Sequence, residues 1–270
     1  MSAFSIELGP TIELHQRLAE AKDARADEYC RALDHANQRM AHEGVDLQRR
    51  GPLDVALSAL VLAAADLQVL QQFTHRLHGI IEKILGQLTA DADQLASFFP
   101  HHQRIFPFIR KTSGTDNWQI VSRYDVAVSP NGDLKIMEIN TGCPGGLLVS
   151  DSITSATKTA LELLQDESVS QFPLSGTVDP QGYIDGLLGI ERQSNIDPAT
   201  IALLNDENQL TFELGLLADA LEQRQRKVVI ADARELTCSK GHLQIAGEPV
   251  SMSCNKFRIS TPDSPNHSWR

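Results

Sequence analysis

The segment from Ser122 to Leu148 restricts the fold of this chain more than any other, because it predicts two strands around a tight turn. Val121 to Val128 contains several β-branched residues, and Leu134 to Ile139 alternates in the manner of a second strand. Residues 129–132, Ser-Pro-Asn-Gly, are typical of a turn between such strands. The segment therefore predicts an antiparallel β-hairpin.

Polar side chains of this hairpin are predicted to converge on one face. Arg123 and Asp125 share a face of the first strand because they lie two residues apart. Glu138 and Asn140 share a face of the second strand for the same reason. If the register brings the two faces together, hard oxygen ligands that suit Mg²⁺ with substrate phosphates meet beside a phosphate-binding guanidinium. The alternative is an ordinary hairpin whose charges face solvent.

The composition is that of a soluble globular protein, with 41% hydrophobic and 22% charged residues. Its 270 residues suffice for one large domain or two ordinary ones. The balance of 24 basic against 35 acidic residues gives a net charge of −11, which argues against nucleic acid and anionic membranes as partners. Phosphate ligands are not excluded, because a local arginine and Mg²⁺ outweigh the global field.

Several features predict a cytoplasmic location. The N-terminus carries no basic segment followed by an apolar one, so no signal peptide is expected. The longest apolar run, around Ala56 to Ala65, is about half a membrane span and predicts a buried helix. The cysteines contain no CxxC pair and fit a reducing compartment better than a disulfide framework or a zinc site. They are Cys30, Cys143, Cys238 and Cys254.

The chain is predicted to begin with a helical region, residues 1–100, in which apolar residues recur at helical spacing. Gly44 and the pair Gly51-Pro52 separate its first two segments. Three helices are expected there: Pro10 to about Glu43, Leu53 to about Gln72, and about His75 to Leu88.

The next segment, residues 101–170, holds the hairpin and a helix from about Asp151 to Leu164. Asp151 or Ser152 is expected to cap that helix. A polar stretch rich in proline and glycine then predicts a linker between domains, residues 171–195.

Residues 196–270 predict a small α/β lobe. Thr200–Leu204 and Lys227–Ile230 are short buried strands around an amphipathic helix, which predicts a parallel βαβ unit. Leu243–Ile245 and Val250–Met252 predict a hairpin after it. The expected fold class is therefore α+β and α/β, with N-terminal helices, antiparallel strands and a small Rossmann-like lobe.

Two motifs give the hairpin a resemblance to a known family. Arg-Tyr-Asp at 123–125 is followed by a glycine turn, then by Glu-Ile-Asn-Thr at 138–141 and a glycine-rich loop. This pattern resembles the magnesium segment of circularly permuted ATP-grasp ligases, such as glutathionylspermidine synthetases and eukaryotic-type glutathione synthetases. More weakly, the pattern from IALLNDENQLTFE to NKFRI resembles the small pre-ATP-grasp lobe of those enzymes. The resemblance covers roughly residues 104–258.

The resemblance implies an ATP- and Mg²⁺-dependent ligase. ATP would phosphorylate a small-molecule carboxylate, and an amine would attack the acyl phosphate to give an amide. Asp125, Glu138 and Asn140 would hold Mg²⁺. Arg123 would act as the catalytic residue on the phosphoryl group or acyl phosphate. The loop after the second strand would bind substrate through Thr141, Cys143, Gly145 and Gly146.

Further candidates lie in the small lobe. Lys256 sits on a strand-like segment, either as a phosphate contact or as part of a solvated edge. Glu213 lies near a helix start, either as a capping charge or as a contact for a substrate amine.

Two departures from the family pattern limit the resemblance. Pro144 stands where a serine-rich turn binds the dipeptide of glutathione synthetases, which argues against glutathione synthesis itself. The lysine-bearing strands, glycine-rich lid and adenine pocket expected after the small lobe do not follow, so the chain is expected to match the front part of such an enzyme. It would act as a homodimer or with a partner that completes the ATP site. Alternatives are a non-catalytic subunit or relic of such a ligase, and a helical interaction module formed by residues 10–90.

Overall fold

A computed structural model of the chain describes residues 4–45, 53–106, 121–141, 144–164, 169, 172, 180–193, 197–205, 211–239 and 241–255. Within these ranges the chain forms seven α-helices and seven β-strands, so the expected mixture of helix and sheet is confirmed. None of the described helices is long and apolar enough to cross a membrane.

The helices are α1 (Gly9–Ala24), α2 (Ala26–His42), α3 (Ala64–Ala90), α4 (Ala92–Phe98), α5 (Leu147–Leu163), α6 (Pro180–Gln193) and α7 (Thr211–Gln223). The strands are β1 (Ser122–Val128), β2 (Leu134–Thr141), β3 (Thr200–Asn205), β4 (Val228–Asp232), β5 (Thr237–Ser239), β6 (His242–Ile245) and β7 (Glu248–Asn255). Short 3₁₀ helices lie at Pro100–Ile105 and Ala233–Glu235.

The chain divides into two compact units, and each is built from separate stretches of sequence. Of the described residues, the hairpin unit comprises 4–6, 64–106 and 121–141. The sheet unit comprises the described residues from 7 to 63 and from 144 to 255. These compact units do not correspond to the consecutive domains expected from the sequence, and those domains remain a prediction.

The first expected helix is wrong in one respect, because the chain breaks at Arg25 into α1 and α2. The backbone of Arg25 leaves helical geometry, with φ −141° and ψ 54°. Its carbonyl oxygen accepts from Tyr29 N–H in the first turn of α2. Its guanidinium donates to the Leu164 carbonyl oxygen at 3.1 Å, and so fixes the corner against the end of α5. No glycine or proline marks this break in the sequence.

The helices expected over Leu53–Gln72 and Ala56–Ala65 are also wrong, because residues 53–63 are not helical. Backbone groups of this segment bond side chains of α1 and α2 instead. Val55 N–H donates to the Asn37 side chain at 2.7 Å, and Val61 N–H donates to the Thr11 hydroxyl at 2.9 Å.

Helix α3 begins only at Ala64 and continues through the third expected helix. The separate second and third helices are therefore wrong, and a single 27-residue helix replaces them. Helix α6 lies within the expected linker and buries Ile184 and Leu187.

The expected βαβ unit and the expected hairpin are confirmed, and they form one sheet. Its strand order is β4-β3-β7-β6-β5. Strand β3 pairs in parallel with β4 on one side and with β7 on the other. Strand β7 also pairs antiparallel with β6. Every residue of β3 is buried, as is usual for a central parallel strand.

Candidate functional site

The hairpin turn has the expected chemistry. Gly132 adopts a positive φ of 83°, and its N–H donates to the Ser129 carbonyl oxygen at 2.8 Å. The Ser129 hydroxyl accepts from Asp133 N–H at 3.0 Å. The Gly132 carbonyl oxygen in turn accepts from Ile6 N–H at 3.0 Å, so the N-terminal segment is hydrogen-bonded to the turn. These bonds fix where β1 and β2 begin their pairing.

The register of β1 and β2 brings the expected polar faces together. Arg123 lies opposite Asn140, and Asp125 lies opposite Glu138. The convergence that the sequence predicted is therefore present in the hairpin unit.

A β-bulge follows directly after the pair Asp125 and Glu138. The next pairing joins Val126 to Ile136, so Met137 has no partner on β1. The extra residue changes which side chains share a face beyond it. Lys135, opposite Ala127, joins the polar face, while Ile136 joins the apolar side of the hairpin. The bulge was not predicted from the sequence.

The four polar residues form one connected chain of hydrogen bonds. Arg123 Nε donates to Asp125 Oδ1 at 2.8 Å, and Nη2 donates to Oδ2 at 3.3 Å. In the amide orientation that its neighbours require, Asn140 Oδ1 accepts from Arg123 Nη2 at 3.0 Å. The Asn140 amide nitrogen then donates to Glu138 Oε1 at 3.2 Å. The order is thus Asp125, Arg123, Asn140, Glu138.

The donor set of this face fits Mg²⁺ in chemistry. Asp125 and Glu138 offer carboxylate oxygens, Asn140 offers an amide oxygen, and Mg²⁺ takes such ligands together with phosphate and water. Within the described ranges, no group of three or more His, Cys, Asp or Glu side chains is arranged to hold a metal ion. Arg123 now engages both Asp125 oxygens, so a metal would have to take over one of them. The metal role of these residues remains a prediction.

The opposite face of the hairpin carries Tyr124, which is not part of the polar chain. Burial raises the pKa of Tyr124, the nearby Ser122 side chain lowers it, and the negative charge of Glu82 raises it. Because its pKa lies above the ordinary value of 10.0, the phenol stays protonated at neutral pH.

The candidate substrate residues lie in both units. Thr141 ends β2 in the hairpin unit and is exposed. Gly145 and Gly146 belong to the sheet unit, whereas Cys143 lies outside the described residues. Lys256 also lies outside them.

Gly146 has a structural role that the sequence did not reveal. Its φ is 100°, and α5 begins directly after it, so the expected N-cap at Asp151 or Ser152 is wrong. Its N–H donates to Glu213 Oε1 at 2.8 Å. Glu213 is buried in the first turn of α7, with 5% exposure. A substrate carboxylate that used this amide would have to displace Glu213.

The carboxyl edge of the parallel strands carries a second polar feature. Asn205 ends β3 and is 2% exposed. Its amide nitrogen has no hydrogen-bond partner within the described part of the chain. Ligands of open α/β sheets bind at this edge. The sequence predicted the end of β3 here, and only the structure shows the buried donor.

Comparisons with known proteins give a fold but no family. No family model matches the chain, and no curated protein matches it. Among the solved structures that match is a glutathione synthetase-like effector from Globodera pallida in its apo form, with a TM-score of 0.55 and 15% sequence identity. The match covers 84% of this chain and 57% of that structure, so the chain spans less than two thirds of its length. The chain therefore has a glutathione synthetase-like fold.

Proposed function

We propose that this chain carries the metal- and phosphate-binding site of an ATP-dependent carboxylate–amine ligase that acts through an acyl phosphate. The observation that carries the proposal is the hydrogen-bond network on one face of the hairpin, which joins Asp125, Arg123, Asn140 and Glu138. The glutathione synthetase-like fold supports it, because the protein that shares the fold is described as synthetase-like. Mg²⁺ and ATP are the proposed cofactors, and a small-molecule carboxylate and amine are the proposed substrates.

Each residue of the face has a distinct task in this proposal. Asp125, Glu138 and the Asn140 amide oxygen would hold Mg²⁺, which would neutralise part of the charge that builds on the phosphates during transfer. Asn140 fixes the position of Glu138 through its amide nitrogen. The Arg123 guanidinium orients Asp125, and its planar, charged group suits the oxygens of a phosphoryl group.

The sheet unit also carries polar groups that suit a small-molecule substrate. Buried polar groups there, the Glu213 carboxylate and the Asn205 amide, can recognise an amine and a carbonyl or carboxylate oxygen respectively. Pro144 follows the hairpin where glutathione synthetases have a serine-rich turn, so the acid is proposed to differ from their dipeptide.

Glu138→Gln is expected to abolish ATP turnover while leaving the fold intact. The amide keeps the size of the side chain and removes one metal-binding charge. We expect the rate of ADP release to fall about 1,000-fold, the effect of losing several kcal/mol of charge stabilisation. The measurement is ADP release from Mg·ATP with panels of small carboxylates and amines, with circular dichroism as the test of folding.

Glu162→Gln is the matched control for this experiment. Glu162 is an exposed glutamate of α5 to which the proposal gives no role, so its variant should turn over ATP at the wild-type rate. Wild-type turnover by Glu138→Gln, or no turnover by the folded wild-type protein with any pair, would contradict the proposal.

A further inference from the structure

The polar face of the hairpin extends one row beyond the four residues described above. The bulge at Met137 moves Lys135 to this face. In an unbulged strand, the parity of β2 would place Lys135 on the side of Ile139, away from Glu138. The bulge therefore adds one positive charge to the face that carries both carboxylates.

Three successive rows describe this face. The first row pairs Arg123 with Asn140, the second pairs Asp125 with Glu138, and the third pairs Ala127 with Lys135. Successive rows on one face of a strand are about 6.6 Å apart. The carboxylate row thus lies between two cations, with Arg123 on one side and Lys135 on the other.

The environment of Lys135 leaves its ammonium group available to a ligand. Lys135 is exposed, and no described carboxylate forms an ion pair with it. Its partner across the strands, Ala127, has a small apolar side chain that cannot pair with the ammonium group.

We propose that Lys135 binds the part of the nucleotide polyphosphate that remains in ADP, while Arg123 serves the phosphoryl group in transfer. This assignment rests on the function proposed above. A metal held by Asp125 and Glu138 would attract phosphate oxygens to the carboxylate row, and an extended polyphosphate could then reach a cation on each side of that row. A lysine ammonium suits a diphosphate that needs charge but no planar geometry, whereas a guanidinium suits a group whose oxygens must be oriented.

Lys135→Gln is expected to weaken Mg·ADP and Mg·ATP to the same extent, by about tenfold in Kd, the effect of losing one exposed charge-assisted hydrogen bond. The control is Lys158→Gln, because Lys158 is an exposed lysine on α5. Calorimetric titration of the full chain measures both constants, and circular dichroism verifies that each variant is folded.

A second readout uses the unmodified protein. Amine-reactive acylation followed by peptide mass spectrometry reports the accessibility of each lysine. Mg·ADP should protect Lys135 several-fold and leave Lys158 unchanged, a result that a merely structural lysine would not give.

The outcomes separate this inference from the function on which it rests. The lysine assignment alone would be overturned by the following result. The wild-type protein binds Mg·ADP and Asp125→Asn does not, while Lys135→Gln binds as tightly as wild type and Mg·ADP does not protect Lys135 from acylation. A folded wild-type protein that does not bind Mg·ADP would overturn both.

Discussion

Gly132→Ala is expected to destabilise the hairpin unit by about 3 kcal/mol, the sum of a left-handed backbone penalty and a steric clash. Gly132 has a φ of 83°, which disfavours any residue with a side chain. A Cβ atom at this position would lie 2.1 Å from the Ile6 carbonyl oxygen. That oxygen belongs to the backbone, and Ile6 N–H bonds the Gly132 carbonyl at 3.0 Å, so relief of the clash would break this pairing.

Gly241→Ala is the matched control for this prediction. Gly241 has nearly the same φ, 82°, but a Cβ there would meet nothing within 4 Å. Its variant should lose only the backbone term, about 1 to 2 kcal/mol. Urea unfolding measures the loss, and hydrogen exchange of peptides around each glycine reports it locally. Equal losses at the two positions would show that the contact with Ile6 contributes nothing.

The second large effect is expected at a buried ion pair of the sheet unit. Glu191 of α6 is 4% exposed and accepts from the Arg226 guanidinium. The Ser251 hydroxyl of β7 donates to the same carboxylate oxygen. Arg226 Nη2 also donates to the Ala199 carbonyl oxygen at 3.1 Å, just before β3. The pair thus connects α6 to the strands at the amino edge of the parallel sheet.

Arg226→Met should lower the free energy of unfolding by about 3 to 5 kcal/mol, because it leaves the Glu191 charge buried without its cation. Arg224→Met is the control, since Arg224 also contacts α6 but does so at the surface. It pairs with Asp185 at 3.1 Å, and both side chains are more than a third exposed. Loss of that exposed pair should cost less than about 1 kcal/mol. Urea unfolding compares the two, and similar losses would contradict a special role for the buried pair.

Local chemistry made the hairpin predictable. The residues 129–132 specify a turn, and the spacing of Arg123, Asp125, Glu138 and Asn140 specifies their common face once the strands pair. The parallel pair β3 and β4 was predictable for a similar reason, since each is a short apolar run beside an amphipathic helix.

The features that the sequence did not predict depend on distant partners. Residues 53–63 have the apolar content of a helix, but Thr11 and Asn37 supply hydrogen bonds that hold them outside helical geometry. The pairing of β7 with β3 joins segments about 50 residues apart, which no local pattern records. The bulge at Met137 is an exception, because its signal is local. Leu134 and Ile136 are two residues apart, whereas Ile139 follows Ile136 by three, so the alternation expected of a regular strand is interrupted.

The most direct test of the metal–phosphate site is a calorimetric titration of the full chain with Mg·ADP, with Asp125→Asn as the comparison. Asparagine keeps the size of the side chain and removes the carboxylate that Arg123 now holds. We predict micromolar binding to the wild-type protein and its loss in the variant. Equal binding to both proteins, or no binding to a folded wild-type protein, would contradict the account.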